Sequence, residues 1–201
     1  MKTQQSQFLL FSLKASVITM AALLTACGGG SDSAENVTKV DPPVTVTPPP
    51  VEVTTYTGRF LDAAVSGLNY QTAAEEGITN TEGEFTYRLN ENVTFSIGDI
   101  VFPETLADAI VTPLEVFSTT NINNTAVVNM LRLLQTLDQD GDLTNGIAIT
   151  TQAHTQAAGL TVDFSANNFD DQVNSLVLNS GALNTQLLTA DDAIYHFQQT
   201  L

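Results

Sequence analysis

From residue 56 to residue 102, inward-facing and polar residues alternate along three short runs. The positions expected to face inward are Leu68, Tyr70 and Thr72, then Phe85, Tyr87 and Leu89, then Val93, Phe95 and Ile97. A period of two is typical of strands with one buried face. Turn-forming residues at 65–67, 76–83 and 90–92 separate these runs. We therefore expect a small antiparallel sandwich or meander here.

Beyond about residue 105 the pattern becomes helical. The stretch TAVVNMLRLLQTLD carries a wide apolar stripe, which predicts a helix buried in the core. The stripe consists of Val127, Val128, Met130, Leu131, Leu133, Leu134 and Leu137. Asn124 or Thr125 can begin this helix. A shorter helix is predicted before it, because Thr112, Pro113 and Glu115 form a capping box with proline at the first helical position.

The remaining elements are shorter. Residues 147–158 and 169–178 favour helices or a mixture of strand and helix. In the final stretch, LTADDAIYHFQQTL, Thr189 is the expected cap, and the expected apolar stripe is Ile194, Phe197 and Leu201.

The first 26 residues have the pattern of a signal peptide. Lys2 precedes the apolar run FLLFSLKASVITMAALL, and Lys14 interrupts that run, which disfavours a membrane anchor. Small residues follow and lead directly to Cys27. An ordinary secretory signal with an unrelated cysteine is the alternative interpretation.

The residues Leu24, Thr25, Ala26 and Cys27 resemble the lipobox of bacterial lipoprotein signals. The resemblance implies cleavage before Cys27 and lipidation of its thiol and amino groups by acyl chains such as palmitate. Gly28 follows, whereas an aspartate at this place resembles an inner-membrane retention signal. The resemblance therefore implies a lipid anchor in the outer membrane of a Gram-negative cell, with the protein facing the periplasm or the cell surface.

Residues 27–55 have a different composition from the rest of the chain. GGGSDSAENVTK is a polar tether, and VDPPVTVTPPPVEV predicts extended polyproline II at about 3.1 Å per residue. The fold class expected from all these patterns is α+β. It consists of a small antiparallel β-sandwich or meander at 56–104 and a helical region at 105–201, behind a signal peptide at 1–26 and a disordered lipid-anchored stalk.

The charge balance narrows the choice of partners. Loss of residues 1–26 removes Lys2 and Lys14 and leaves four basic side chains against twenty-two acidic ones, a formal charge of −18. Such a chain repels nucleic acid and anionic lipid surfaces, so contact with the membrane is expected through the lipid alone. Cys27 is the only cysteine, so disulfides cannot stabilise the fold.

The stretch 58–87, GRFLDAAVSGLNYQTAAEEGITNTEGEFTY, resembles carboxypeptidase-regulatory-like and other Ig-like modules of bacterial surface proteins. Together with LLQTLDQDGDLTNGI and AIYHFQQTL, residues 56–201 resemble uncharacterised Gram-negative surface lipoproteins and adhesin-like proteins. The resemblance implies a location and a broad role in adhesion or envelope organisation, and it implies no known reaction.

Three aspartates, Asp138, Asp140 and Asp142, alternate directly after the buried helix, where the helix dipole disfavours negative charge. Their mutual repulsion costs about 1–4 kcal/mol per pair, and a bound cation would relieve it. Calcium takes six to eight oxygen ligands, and Asn145 offers an amide oxygen while Gly141 permits a sharp turn. We therefore predict a weak calcium site at Asp138, Asp140, Asp142 and Asn145.

The match to an EF-hand is partial. Counted from Asp138, the sixth loop position is Leu143 rather than glycine, and the twelfth is Ile149 rather than glutamate. A further carboxylate would come from elsewhere, and the candidates are Asp163, Asp170 and Asp171. The alternative is a solvated acidic turn, because aspartate followed by glycine is a common turn dipeptide.

Enzyme chemistry has little support in this sequence. Two histidines, His154 and His196, are too few for a histidine-rich zinc site, and no G-x-S-x-G motif is present. The acid pairs at 75–76, 170–171 and 191–192 are typical of turns and helix starts. We expect no catalytic residues, and a hydrolase is the weakest hypothesis.

Two other polar residues have structural roles in this interpretation. Asp62 is expected to make a local turn hydrogen bond. Arg132 is expected to pair with a carboxylate or to lay its stem along the core.

Two functional hypotheses follow. The first is a non-enzymatic surface or adhesin-like lipoprotein whose helical half is stabilised by calcium and which meets a protein partner at the cell surface. The alternative is a periplasmic accessory lipoprotein that binds a small ligand or a protein subunit without metal.

Overall fold

A computed structural model describes residues 53–201, which belong to one compact unit. The predicted signal peptide, Cys27 and the stalk up to residue 52 lie outside the described residues. The described region contains both sheets and helices, so the predicted α+β class is confirmed.

The β part is built from short strands in three sheets. The strands are β1 (Tyr56–Phe60), β2 (Val65–Ser66), β3 (Asn69–Gln71), β4 (Glu76–Ile78), β5 (Glu84–Tyr87), β6 (Asn92–Ile97), β7 (Ile100–Val101), β8 (Thr105–Leu106), β9 (Ile110–Val111) and β10 (Ile147–Ala148). One sheet has the order β4-β3-β6-β7, with β8 also paired to β6. The second has the order β5-β1-β9, and the third pairs β10 with β2.

The alternating pattern is confirmed where the strands are regular. Phe85 and Tyr87 in β5 and the apolar positions of β6 are buried. Leu89 is 60% exposed, because β5 ends at Tyr87 and the chain turns at Asn90 with a positive φ of 65°. The predicted connectors at 65–67 and 76–83 each contain a short strand, β2 and β4, which sequence pattern alone did not separate from turn.

Two strand pairs depart from the antiparallel expectation. β1 pairs in parallel with β9, and β2 pairs in parallel with β10. Both partners, β9 and β10, come from the region predicted to be helical. Parallel pairs require a long connection between the two strands. The connection from β1 to β9 contains β2 to β8, and the connection from β2 to β10 contains β3 to β9 together with α1 and α2.

The helices are α1 (Pro113–Val116), α2 (Thr125–Thr136), α3 (Thr151–Gln156), α4 (Phe169–Asn179) and α5 (Ala190–Thr200). The capping box at Thr112 and Glu115 is confirmed, and so are Asn124 and Thr189 as the caps of α2 and α5. The predicted stripe of α2 is buried throughout.

The predicted stripe of α5 is confirmed at Phe197 and wrong at Leu201. Ala193 and Phe197 are the residues of α5 that are buried, whereas Leu201 is 70% exposed. The helix is turned so that its inward face also carries His196 and Thr200, which bond to the residues after β1. Polar contacts therefore contribute to the orientation of α5.

The main core passes through both the β-rich and the helical parts. It joins Phe60, Phe85 and Phe95 to Met130 and Leu134 of α2. A second, smaller cluster consists of Val127, Leu131, Ala193 and Phe197, between α2 and α5. Within residues 53–201, no helix is both long and apolar enough to cross a membrane.

Candidate functional site

The aspartate loop begins where α2 ends and is closed by backbone contacts. Asp138 forms an isolated antiparallel bridge with Ile149, and the Gln139 amide donates to the Ala148 carbonyl at 3.0 Å. Gly141 has a φ of 72°, and a Cβ atom there would lie 3.0 Å from Leu183 Cδ2. The loop is thus a defined turn in which glycine is needed at position 141.

Asp138 lies at the base of this loop and is almost fully buried. Its Oδ1 accepts a hydrogen bond from the Ala148 amide at 2.8 Å. Its Oδ2 is buried and accepts no hydrogen bond of good geometry from the described residues. A buried carboxylate oxygen without a donor is costly unless a proton or a cation is close to it.

Asp140 and Asn145 lie together on the exposed side of the loop. Asp140 Oδ2 accepts from the Asn145 side-chain amide at 3.0 Å, and its Oδ1 accepts from the Asp142 backbone amide at 2.9 Å. The nitrogen of the Asn145 amide faces Asp140, so Asn145 would need to rotate its amide to offer oxygen to a cation.

Asp142 has a different role within the loop. Its Oδ1 accepts from both the backbone amide and the hydroxyl of Thr144, at 3.1 and 2.6 Å. Asp142 thereby caps the short 3-10 turn at Leu143–Asn145. These contacts hold its carboxylate in a turn that needs no cation.

The electrostatics of the loop distinguish its first two aspartates. Burial raises the pKa of Asp138, and the neighbouring Asp140 carboxylate raises it further, although the backbone amides of Ala148 and Gly141 oppose the shift. Hydrogen bonds from the Asp142 amide and from Asn145 lower the pKa of Asp140. The two carboxyl groups therefore influence each other's ionisation.

Within residues 53–201, no three histidine, cysteine, aspartate or glutamate side chains are grouped so that they could hold a metal ion. The further carboxylates proposed from sequence have other partners. Asp163 Oδ1 accepts from the Ser165 amide, and Asp171 is exposed in the first turn of α4. What the structure brings together is Asp138, Asp140 and Asn145, with Asp142 turned to Thr144.

Arg132 and Asp170 form a bidentate ion pair. Arg132 Nη1 and Nη2 donate to the two carboxylate oxygens at 2.8 and 2.9 Å, which lowers the pKa of Asp170. Arg132 Nε also donates to the Leu188 carbonyl at 2.8 Å. The expectation that Arg132 pairs with a carboxylate is confirmed, and the pair links α2 to α4.

A second buried carboxylate, Asp62, was assigned by sequence to a local turn, and that assignment is wrong. Asp62 is completely buried, and both of its oxygens accept from the Gln135 side-chain amide of α2, at 3.0 and 3.1 Å. Gln135 Nε2 also donates to the Ala193 carbonyl of α5 at 3.1 Å. A sequence signal existed, since Asp62 interrupts the apolar stretch FLDAAV and Gln135 interrupts the stripe of α2.

The Asp62 site contains two more polar groups that lack partners in the described region. Gln135 Oε1 and His196 Nε2 are both buried without a hydrogen bond. Burial lowers the pKa of His196, and a hydrogen bond with the Asp62 backbone raises it in part. Burial raises the pKa of Asp62 well above its usual value, against the opposing hydrogen bond from Gln135.

His154 is occupied on both ring nitrogens. Nδ1 accepts from the Gly98 amide at 2.9 Å, which places the proton on Nε2, where it donates to the Gly67 carbonyl at 2.6 Å. The ring therefore ties α3 to the turns that precede β3 and β7.

Comparison with protein-family models, with curated proteins and with solved structures gave no match to this chain.

Proposed function

We propose that this chain is a non-enzymatic lipoprotein of the Gram-negative cell envelope, with a role in adhesion or envelope organisation. A lipid at Cys27 would anchor it in the outer membrane, and residues 28–55 would hold the folded region away from the lipid. The lipobox residues and the abrupt change to a proline-rich stalk support this address.

The proposal of a non-enzymatic role rests on the contacts of the candidate acids. Glu75 pairs with Arg88, and Asp170 pairs with Arg132. Asp192 accepts from the hydroxyl of Thr189 at the start of α5. Each of these carboxylates contributes to the fold through its own partner.

The observation that carries the calcium part of the proposal is the buried Asp138 Oδ2, which lacks a hydrogen-bond donor and belongs to a carboxyl group whose pKa is also raised by Asp140. Calcium between these two groups would satisfy that oxygen and remove the repulsion between the carboxylates. Asn145, after rotation of its amide, backbone carbonyls and water would complete the ligand set. Asp142 would support the turn through Thr144 without binding the ion.

A second candidate, a periplasmic accessory lipoprotein without metal, is favoured by the hydrogen bonds inside the loop. Asp140, Asp142 and Asn145 already have partners there, and a proton shared by Asp138 and Asp140 would satisfy the remaining oxygen. The two candidates differ in whether a calcium ion or a proton lies between the two carboxyl groups.

Calorimetry and thermal unfolding of the full chain in detergent, with calcium at 0–10 mM, test the metal. We expect binding with a dissociation constant on the order of 1 mM, and Asp138→Asn should abolish it. Asp142→Asn is the matched control, because asparagine can still accept from Thr144, and it should bind as the wild type does. Binding that survives Asp138→Asn, or no binding by the wild type, would reject the calcium site.

The cellular address is tested separately. Labelling with radioactive palmitate should mark the wild type and fail with Cys27→Ala. Protease added to intact cells should cleave the folded region if it faces outwards, whereas full protection would favour the periplasmic candidate. Absence of label on the wild type would reject the lipoprotein proposal altogether.

A further inference from the structure

The Asp62 site joins three elements that are far apart in sequence. Asp62 follows β1, Gln135 belongs to α2, and His196 lies on α5. Gln135 bridges the Asp62 carboxyl to the Ala193 carbonyl of α5. The next residue, Ala63, donates its amide to the Thr200 hydroxyl of α5 at 3.1 Å. The end of β1 is therefore a polar docking point for α5.

The apolar attachment of α5 is small. The helix buries Ala193 and Phe197, which pack on Val127 and Leu131 of α2 in a cluster separate from the main core. Its other contacts in this region are the polar ones at Asp62, Gln135 and Ala63. A helix held by few apolar residues opens at lower free energy than the core, so its polar contacts influence how often it detaches.

The hydrogen-bonding groups at the docking point fit a protonated Asp62 better than an ionised one. An ionised Asp62 would be a buried charge with a neutral amide as its partner. A protonated Asp62 supplies a donor, and Gln135 Oε1 is a buried acceptor that lacks one.

We propose that Asp62, Gln135 and His196 form a proton-sensitive latch that holds α5 against α2 and the end of β1. The latch is closed when Asp62 carries a proton and His196 does not. It loosens when Asp62 ionises at higher pH or when His196 is protonated at lower pH. Detachment of α5 would expose the apolar surface of Val127 and Leu131.

The direction of each pH effect follows from the pKa shifts. The pKa of Asp62 is raised from 3.8, so its contribution to docking is complete below pH 3.8 and is lost as the pH rises through the folded pKa. The pKa of His196 is lowered from 6.5, so its contribution is complete above pH 6.5 and is lost as the pH falls through the folded pKa.

Other charged groups on the surrounding elements have their own partners or are exposed. On α2, Arg132 is paired with Asp170. Before Asp62, Arg59 of β1 is paired with Glu84. The remaining acids of α5, Asp191 and Asp192, are exposed in its first turn. His196 is thus the titratable side chain on α5 that lies against the docking point.

Hydrogen exchange of the full chain in detergent, followed by mass spectrometry, tests the latch. As the pH rises through the folded pKa of Asp62, exchange in α5 should accelerate beyond the intrinsic rate, by up to about tenfold per pH unit. Asp62→Asn should remove this excess, because asparagine supplies a donor without charge. The surface control Asp191→Asn should behave as the wild type does.

The same experiment can overturn the proposal. If exchange in α5 of Asp62→Asn accelerated with pH as much as in the wild type, or if α2 and α5 accelerated equally, Asp62 would not act on α5 locally. Carbon NMR of the wild type gives an independent test that requires no variant to fold. An Asp62 carboxyl with an unshifted titration near pH 4 would reject the latch, whereas titration at higher pH in step with α5 exchange would support it.

Discussion

Asp62 and Asp138 are two buried aspartates with different neighbours. Asp62 follows β1 and is 0% exposed, and Asp138 follows α2 and is 1% exposed. Asp62 faces the neutral amide of Gln135, whereas Asp138 faces a second carboxylate, Asp140. Burial raises the pKa of both, but a cation could satisfy two facing carboxylates and gains little beside a single one. Under the two proposals made above, the neighbour decides which ligand each site favours: a proton at Asp62, and a proton or calcium at Asp138.

Removal of the amide beside Asp62 should have the largest effect. Gln135→Leu would leave a buried carboxyl without its donor and should lower the free energy of unfolding by about 2–3 kcal/mol at neutral pH. Urea denaturation measures this loss. Gln198→Leu, on the exposed side of α5, is the control and should change stability by less than about 0.5 kcal/mol. Similar losses in the two variants would mean that Asp62 does not depend on Gln135.

Calcium should stabilise the protein through Asp138 and leave the Asp62 site unchanged. For a dissociation constant on the order of 1 mM, 10 mM calcium adds about 1.4 kcal/mol. Urea denaturation with and without calcium should show this gain in the wild type and in Asp62→Asn, and not in Asp138→Asn. A gain that depends on Asp62 would break the distinction between the two sites.

The stabilisation by calcium should itself depend on pH. Without calcium, the raised pKa of Asp138 means that its contribution to stability is lost as the pH rises above 3.8 through the folded pKa. Calcium binds the ionised carboxylates, so the calcium-dependent gain should increase with pH over the same range. Thermal unfolding at pH 4, 5, 6 and 7 measures this trend, and a gain that is constant with pH would argue against Asp138 as a ligand.

Asp170, which already has a cationic partner, should show the smallest effect. Asp170→Asn should cost about 0.5 kcal/mol, because the side chain is 63% exposed and water screens its pair with Arg132. Its pKa is lowered from 3.8, so this contribution is present above pH 3.8 and is lost as the pH falls through the folded pKa. The difference in stability between variant and wild type should therefore be present at pH 7 and should shrink as the pH falls below 3.8, which urea denaturation across this range measures.

Local sequence signals predicted the local structure well. The capping box at Thr112 depends on residues three positions apart, and the stripe of α2 depends on helical spacing. Both can be recognised without knowledge of the fold. For the same reason, the turn role of Gly141 was predictable from the aspartate–glycine dipeptide.

Two of the features that sequence pattern missed depend on distant partners. The orientation of α5 involves contacts with residues after β1, which the helix period does not encode. Asp62 was assigned a local bond because its partner, Gln135, lies 73 positions away. In the aspartate loop, spacing predicted that Asp142 would join the other carboxylates, whereas its carboxylate bonds to Thr144.

The parallel pairing of β1 with β9 and the contact between Ala63 and Thr200 affect how the chain reaches its folded state. Ala63 and Thr200 are 137 positions apart, so the first strand cannot acquire all its neighbours until nearly the whole region has been synthesised. Such long separations slow folding. The end of β1 therefore completes its contacts only once the last residues of α5 are available.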